Sequence, residues 1–332
     1  MAGFGATVKN ESESKSKSKS ESKSKGKDVK ESPLLSSDPF AALRAEEAAQ
    51  KPVLLTHQFI GVAAHDGAGK SACILDAFGK WLDIHDPERE VGYKLPAVDF
   101  DGGVAMLNSA IYKEENIISW NPWKMGINDR TAYNYPGTHE RVMNIMKYII
   151  SEVEKGVPYW GVLISGIDSW LEICTNNMRI VDLNLASDGI ESADIRGAGE
   201  AKRVERQSDW AIRNTRFHQL TKLSRDLVRL GVRVFWETHL RATNFSYKED
   251  APVTWQPEWE KRTNNYLPTI IWIEDEDVLN EEGDVEKTIY KAKFVKCKTN
   301  PQLVNQSRTL WITHTDGQPE WFGLPELYDG SL

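Results

Sequence analysis

The chain has few cysteines, and the three that it contains are isolated from one another. Cys73, Cys174 and Cys297 stand far apart among 332 residues and lack the spacing of metal ligands. This usage is typical of reduced thiols, and we expect a cytoplasmic protein. No apolar run approaches the ~20 residues that a membrane helix requires, so we expect no membrane partner.

Positive charge is also in short supply. The chain carries 41 Lys and Arg residues against 49 Asp and Glu residues, which gives a formal net charge of -8. This acidic balance argues against a globally basic nucleic-acid-binding protein, but it leaves room for a local basic groove.

The first 37 residues lack the apolar side chains that a folded core requires. From Lys9 to Lys30 the sequence is almost wholly serine, lysine and glutamate, so burial cannot offset the entropy lost on ordering. The charges are of mixed sign, unlike those of a basic arm, and no apolar stretch resembles a signal peptide. We predict a disordered tail over residues 1–37, acting as a solvated tether, and one folded domain over residues 38–332.

A phosphate-binding motif stands near the start of the folded part. The run Ala64-His65-Asp66-Gly67-Ala68-Gly69-Lys70-Ser71 follows an apolar strand and precedes a helix, although the strict motif begins with glycine. The loop N–H groups and the helix N-terminus favour a polyphosphate, Lys70 would contact the β- and γ-phosphates of ATP, and Ser71 would bind Mg²⁺. The alternative is an ordinary turn with a solvated lysine. The predicted nucleotide contacts in this motif are Asp66, Gly67, Ala68, Gly69, Lys70, Ser71 and Ala72.

Helices and apolar strands alternate through the middle of the chain, and strands dominate its end. This order predicts an α/β fold with a mostly parallel central sheet flanked by helices and an antiparallel C-terminal extension. Helices are predicted at 38–50, 70–82, 138–155 and 210–230. Strands are predicted at 53–63, 95–101, 117–120, 160–168, 232–239, 270–275, 288–298 and 310–313, and long loops at 175–209 and 242–266.

Acidic residues end two of the predicted strands. Ligands of α/β sheets lie beyond the carboxyl ends of the strands, so Asp168 is a candidate Mg²⁺ ligand beside Ser71, unless it only caps a turn. Asp101 is the candidate that activates the attacking water, and Asp99 is the second choice. A pair of turn-forming acids before Gly102-Gly103 is the alternative.

Two further groups complete the candidate site. His239 ends the strand after that of Asp168, and we predict that it contacts the γ-phosphate; a histidine bonded only locally is the alternative. Lys296 and Lys298 are two residues apart and therefore lie on one side of a strand. We predict that both reach the nucleotide of a neighbouring subunit, the alternative being solvated lysines of an edge strand.

In their order, these segments resemble the RecA family of P-loop ATPases over 53–301, which is most of the folded chain. The family's strand ending in Asp-x-Glu corresponds to Asp99-Phe100-Asp101, and its Asp-Ser pair to Asp168-Ser169. Its sensor glutamine corresponds to His239, and its Lys-x-Lys to Lys296-Cys297-Lys298. The chain departs from the family in having aspartate for the catalytic glutamate and no evident N-terminal oligomerisation region. It is most similar to the compact RecA-type ATPases of phages and archaeal viruses, some of which act in recombination and single-strand annealing.

The resemblance implies Mg²⁺-dependent ATP hydrolysis coupled to single-stranded DNA binding, in a homo-oligomeric ring or filament. It places DNA contacts in the two long loops, where cations lie beside aromatic side chains. Those residues are Arg179, Arg196, Lys202, Arg203, Arg206, Phe245, Tyr247, Lys248, Trp255, Trp259, Lys261, Arg262 and Tyr266. The alternatives are a nucleotide-gated protein-binding module without DNA, and a viral helicase or packaging motor.

Overall fold

Apolar segments of the sequence form buried strands, and amphipathic segments form helices, in a computed structural model of the chain. It describes residues 58–126, 132–183, 207–243, 254–315, 317 and 319–332, all within one unit that runs from Pro52 to Leu332. The predicted N-terminal tail, the predicted helix at 38–50 and residues 53–57 of the first predicted strand lie outside the described residues.

Each of the eight predicted strands, and each predicted helix within the described residues, corresponds to an element of the structure. The strands are β1 (Phe59–Ala64), β2 (Leu95–Asp99), β3 (Ile117–Trp120), β4 (Gly161–Ser165), β5 (Arg233–Ala242), β6 (Trp255–Pro257), β7 (Thr269–Leu279), β8 (Val285–Cys297), β9 (Ser307–His314) and β10 (Pro319–Trp321). The α-helices are α1 (Lys70–His85), α2 (Gly103–Leu107), α3 (Tyr135–Glu154), α4 (Ile167–Val181), α5 (Gln207–Arg229) and α6 (Thr263–Tyr266). Of these elements, β6, β10, α2, α4 and α6 were not predicted.

The described strands form one sheet in the order β10-β9-β8-β7-β1-β5-β4-β2-β3, and β6 pairs with β5. Neighbouring strands from β7 to β3 pair in parallel, and β7, β8, β9 and β10 pair antiparallel. The predicted α/β class, with its mostly parallel centre and antiparallel C-terminal extension, is confirmed. The carboxyl ends of β1, β5, β4 and β2 meet at one edge, where ligands of such sheets bind.

Helices cover both faces of the central strands. Every residue of β1, β2 and β4 is buried, as expected for parallel strands between two helical layers. Phe78 of α1 belongs to the core cluster on one face, and Met146, Trp170 and Phe217 of α3, α4 and α5 belong to the cluster on the other. None of the described helices combines the length and hydropathy needed to cross a membrane.

The sequence pattern placed Asp168 at the end of a strand, and this prediction is wrong. β4 ends at Ser165, Gly166 takes a φ of 92°, and Asp168 lies in the first turn of α4. Glycine adopts this positive φ without strain. It also leaves room for Phe100, whose Cβ would lie only 3.0 Å from a Cβ at Gly166. The apolar pattern hides the turn, since Ile167 is as deeply buried as the strand before it.

The two predicted long loops also contain regular structure. Residues 175–181 are the end of α4, and 207–209 begin α5, whereas 184–206 lie outside the described residues. In the second loop, β6 and α6 occupy 255–257 and 263–266, and 244–253 lie outside the described residues. The helical pattern in the first loop is masked because two polar residues, Asn176 and Asn177, are buried alongside Met178.

Candidate functional site

The segment between β1 and α1 is a tight loop that contains two glycines with positive φ. Gly67 has a φ of 74° and Gly69 a φ of 84°, a region that strains residues with a Cβ. Gly69 is the N-cap of α1, and no side chain of the described residues caps this helix end. The first N–H groups of α1 are therefore available to an anion, which the helix dipole also favours.

The side chain of Lys70 is bound to the backbone of this loop. Its Nζ donates a hydrogen bond to the carbonyl of His65 at 3.2 Å, and the N–H of Ala68 donates to the same carbonyl at 3.4 Å. The ammonium group is thereby held against the loop backbone. The predicted phosphate contacts, residues 66–72, form one continuous turn that leads from β1 into α1.

Ser71 contacts a buried carboxylate that the sequence reasoning did not select. Its hydroxyl donates a hydrogen bond of 2.7 Å to Oε2 of Glu237 on β5. Glu237 is fully buried, and its Oε1 has no hydrogen-bond partner among the described residues. Burial raises the pKa of Glu237 to about 7, although the hydroxyls of Ser71 and Ser165 and the charge of Lys70 act in the opposite direction.

Glu237 belongs to a row of polar side chains that crosses three neighbouring strands. Strand register places Glu237 beside Ser165, and Ser165 beside Asp99, so the three lie on one face of the sheet. Asp99 is buried, and its Oδ2 accepts hydrogen bonds from the N–H of Ala105 at 3.0 Å and the hydroxyl of Ser119 at 3.1 Å. These bonds give Asp99 a role in holding α2 and β3 against β2.

A signal for Glu237 was present in the sequence. It is a lone acidic residue directly after the apolar run Val234-Phe235-Trp236, and charged residues are almost never fully buried without a reason. Sequence reasoning missed it because the register that brings β5 beside α1 and Ser71 is a tertiary feature.

The raised pKa of Glu237 predicts a pH-dependent stability. The folded chain holds this proton more tightly than the unfolded chain, so stability is lost as pH rises from 4.5 through about 7. Glu237→Gln removes the buried charge, and we expect the variant to gain up to about 3 kcal/mol over the wild type across that window. Urea unfolding at a series of pH values, without nucleotide or Mg²⁺, measures the difference.

The matched control for this measurement is Glu281→Gln, which changes an exposed carboxyl in the turn after β7. Because this side chain is exposed in the turn, the variant should unfold at nearly the same urea concentration as the wild type. If the difference between Glu237→Gln and the wild type does not vary with pH, the buried carboxyl does not titrate in this window.

His239 joins two aspartates from different elements. Its Nδ1 lies 2.7 Å from Oδ2 of Asp168, and its Nε2 lies 2.7 Å from Oδ1 of Asp66. Carboxylates only accept hydrogen bonds, so the imidazole satisfies both when both nitrogens are protonated. The hydrogen bond with Asp168 is the main cause that raises the pKa of His239, which favours this charged form. One side chain thus ties residues 65–69, the predicted phosphate loop, and helix α4 to β5.

Asp101 stands at the exposed rim of the same group, just beyond β2. Its carboxyl lies against Gly166, where a Cβ would be 3.2 Å from Oδ2. Partial burial and the nearby charge of Asp168 raise the pKa of Asp101, whereas His239 and Lys70 lower it. The structure therefore brings the four predicted catalytic residues within electrostatic reach of one another.

Ser71, Glu237 and Asp168 carry oxygens of the kind that a magnesium ion held partly by a nucleotide would require. Mg²⁺ takes one or two protein oxygens and completes its shell with phosphates and waters. The hydroxyl of Ser71 is an oxygen of this kind, and so are Oε1 of Glu237 and Oδ1 of Asp168, which have no hydrogen-bond partner in the part of the chain that the structure describes. Among the described residues, no three His, Cys, Asp or Glu side chains form a metal site by themselves.

Lys296 and Lys298 lie towards the amino ends of the parallel strands, opposite the carboxyl ends where the loop before α1 lies. Lys296 pairs with Ile270, whereas the end of β1 at Ala64 pairs with Ile273. The ammonium of Lys296 donates a hydrogen bond to the carbonyl of Asn264, and burial followed by the charge of Lys298 lowers its pKa. Both lysines lie away from the phosphate loop of their own chain, so their predicted nucleotide contact concerns a neighbouring subunit alone.

The predicted DNA contacts lie in different environments. Trp259 is buried, and its Nε1 donates a hydrogen bond of 3.0 Å to Asn264, so it belongs to the core. Trp255 is exposed on β6, and its ring meets that of His65 edge to face at 4.3 Å between centroids. Of the other described contacts, two are exposed and two are half-buried, namely Lys261 and Arg262, and Arg179 and Tyr266, respectively. Outside the described residues lie Arg196, Lys202, Arg203, Arg206, Phe245, Tyr247 and Lys248.

Two comparisons of the sequence with known proteins gave no match. The sequence matches no model of a protein family, and it matches no curated protein.

Proposed function

We propose that this chain is a RecA-like P-loop ATPase that binds Mg²⁺-ATP at residues 66–72 and hydrolyses it. The main support is the convergence of Lys70, Ser71 with Glu237, Asp101 and His239 at the carboxyl ends of four adjacent parallel strands. An anion-binding loop alone would bind phosphate, whereas a loop beside a carboxylate base and a charged imidazole can also promote phosphoryl transfer to water.

Each group has a distinct role in this proposal. The loop N–H groups and Lys70 bind the β- and γ-phosphates. Ser71, Glu237 and Asp168 supply oxygens for Mg²⁺ and its waters; the bound ion neutralises phosphate charge. Asp101 orients the attacking water and accepts its proton, and a carboxyl with a raised pKa is a better base for this purpose than an ordinary aspartate.

His239 links the terminal phosphate to the surface of the protein. The γ-phosphate is an anion, as is the carboxylate of Asp66, and both compete for the Nε2 proton of His239. β5 continues beyond His239 to pair with β6, which carries the exposed Trp255. If the phosphate replaces Asp66 at His239, the position of β5 just before it pairs with β6 would change, as expected of a nucleotide-dependent switch.

We also propose a homo-oligomer, as a ring or filament, in which one chain's lysines face the next chain's nucleotide. Lys296 and Lys298 lie away from the phosphate loop of their own chain, towards the amino ends of the parallel strands. A head-to-tail contact would place the lysines of one chain, at the amino ends of its strands, against the phosphate loop of the next chain. Such contacts generate rings or filaments.

The DNA partner is tested by hydrolysis and binding together. We expect a single-stranded oligonucleotide to stimulate ATP hydrolysis and to bind less tightly as salt increases. Lys261 and Arg262 are exposed beside β6, and replacing both by alanine should reduce the slope of log affinity against log salt by about two. Lys155→Ala, at an exposed position after α3, is the control and should leave the slope unchanged.

The outcomes of this test separate two functions. A hydrolysis rate that does not respond to DNA, with no salt-dependent binding, would contradict the DNA partner and leave a nucleotide-gated protein-binding module.

A further inference from the structure

Three aromatic rings stand in a row across the antiparallel strands. Register places Tyr290 of β8 opposite Trp311 of β9, and Trp311 opposite Trp321 of β10. The rings are nearly parallel, with interplanar angles of 12° and 9° and centroids 4.0 and 5.4 Å apart. We call Tyr290, Trp311 and Trp321 the aromatic row.

The aromatic row ends against the phosphate loop. A Cβ at Gly69 would lie 3.2 Å from Nε1 of Trp311 and 3.7 Å from the ring of Trp321. Gly69 is the N-cap of α1, so the two indole rings touch the loop where it presents its N–H groups. The Nε1 of Trp311 is buried there and has no hydrogen-bond partner among the described residues.

Strand register also sets the position of the aromatic row along the strand direction, relative to the end of β1. Ala64, the last residue of β1, pairs with Ile273 of β7, whereas Tyr290 pairs with Asp275. The row therefore stands two residues beyond the end of β1, which is about 7 Å along a strand. Because of this offset, the rings lie level with the phosphate loop that follows β1 rather than level with β1 itself.

The outermost ring is exposed but firmly positioned. Trp321 is 37% exposed on the last strand of the sheet. Directly after it, the carbonyl of Phe322 accepts a hydrogen bond of 3.2 Å from Lys80 of α1, which is paired with Asp76 at 2.9 Å. Gly323 packs on Asp76 so closely that a Cβ would overlap the carboxyl. Strand β10 is thus fixed to the helix that begins at the phosphate loop.

The two sides of the loop differ in chemistry. The acids and His239 lie on the side of β5, β4 and β2, and the aromatic row lies on the side of β7 to β10. A terminal phosphate that faces Asp101 and His239 directs the nucleoside end of the nucleotide towards the opposite side. We propose that the aromatic row, through the exposed ring of Trp321, is the stacking surface for the nucleotide base, an inference that rests on the proposed ATP-binding function.

Calorimetric titration with two ligands, Mg²⁺-ATP and Mg²⁺-tripolyphosphate, tests the row. Tripolyphosphate has the phosphates without the base, so Trp321→Leu should leave its affinity unchanged. The affinity for ATP should fall about tenfold to a hundredfold, because aromatic stacking of a base is worth that much. Trp321→Phe keeps a ring and should retain most of the affinity for ATP.

The matched control is Phe322→Leu, which removes a neighbouring exposed aromatic ring that lies outside the row. It should change the affinity for neither ligand. If Trp321→Leu weakens both ligands equally, or neither, the stacking surface is wrong and the phosphate site stands. If the wild type binds neither ligand, the proposed ATP-binding function itself is overturned, and the stacking surface with it.

Discussion

Lys70→Ala is expected to reduce ATP hydrolysis by a factor on the order of 100 to 1,000, the usual cost of losing one preorganised group that stabilises transition-state charge. In the structure its Nζ lies 3.2 Å from the carbonyl of His65, so the ammonium is already held at the loop. Alanine favours the first turn of α1, and the fold should survive the change. Steady-state hydrolysis at saturating Mg²⁺-ATP measures the loss, and thermal unfolding checks the fold.

A lysine far from the loop provides the comparison for Lys70. Lys155 follows α3 and pairs with Glu152 at the surface, so Lys155→Ala should hydrolyse ATP at the wild-type rate. Unchanged hydrolysis in Lys70→Ala, in a folded protein, would remove the phosphate loop from the catalytic site and with it the proposed function.

Asp101→Asn is expected to lower kcat about 100-fold to 10,000-fold with little change in KM, since general-base catalysis contributes on this scale. The amide keeps the size of the side chain at the rim but cannot accept the proton of the attacking water. Because burial and Asp168 raise the pKa of Asp101, the acid limb of the wild-type rate profile should lie above the ordinary aspartate value of 3.8. Rates measured across pH test both statements.

Asp99→Asn separates catalysis from support of the fold. The buried carboxyl of Asp99 accepts hydrogen bonds from Ala105 and Ser119, so this variant should lower the unfolding temperature. Asp101→Asn, at the exposed rim, should leave that temperature nearly unchanged. If instead Asp99→Asn abolishes hydrolysis in a stably folded protein and Asp101→Asn does not, the two roles are exchanged.

Local patterns in the sequence predicted the loop and the fold class well, because both depend on neighbouring residues. The glycines at 67 and 69 and the helix that follows them specify a turn that leads into a helix N-terminus, whatever packs around it. The alternation of buried strands and amphipathic helices likewise specifies an α/β sheet, and the structure confirms it. The roles of Lys70, Asp101, Asp168 and His239 stay predictions that the experiments above test.

The boundaries near the site could not be read from local patterns. Asp168 was expected at the end of a strand, but Gly166 ends β4 early and turns the chain into α4. Phe100, which comes from a distant segment, packs against Gly166 and leaves little room for a Cβ at the turn. Trp259 was expected at a DNA-binding loop, but its ring is buried and packs against Gly61 of β1.

The sequence by itself determined that a glycine-containing turn follows the first strand of a mostly parallel sheet, because turn and strand propensities act over a few residues. Only the tertiary structure decided what surrounds that turn. Glu237 reaches Ser71, and the aromatic row reaches Gly69, through the pairing of strands far apart in the chain. Such pairings are set by the register and packing of the whole sheet, which no short stretch of sequence contains.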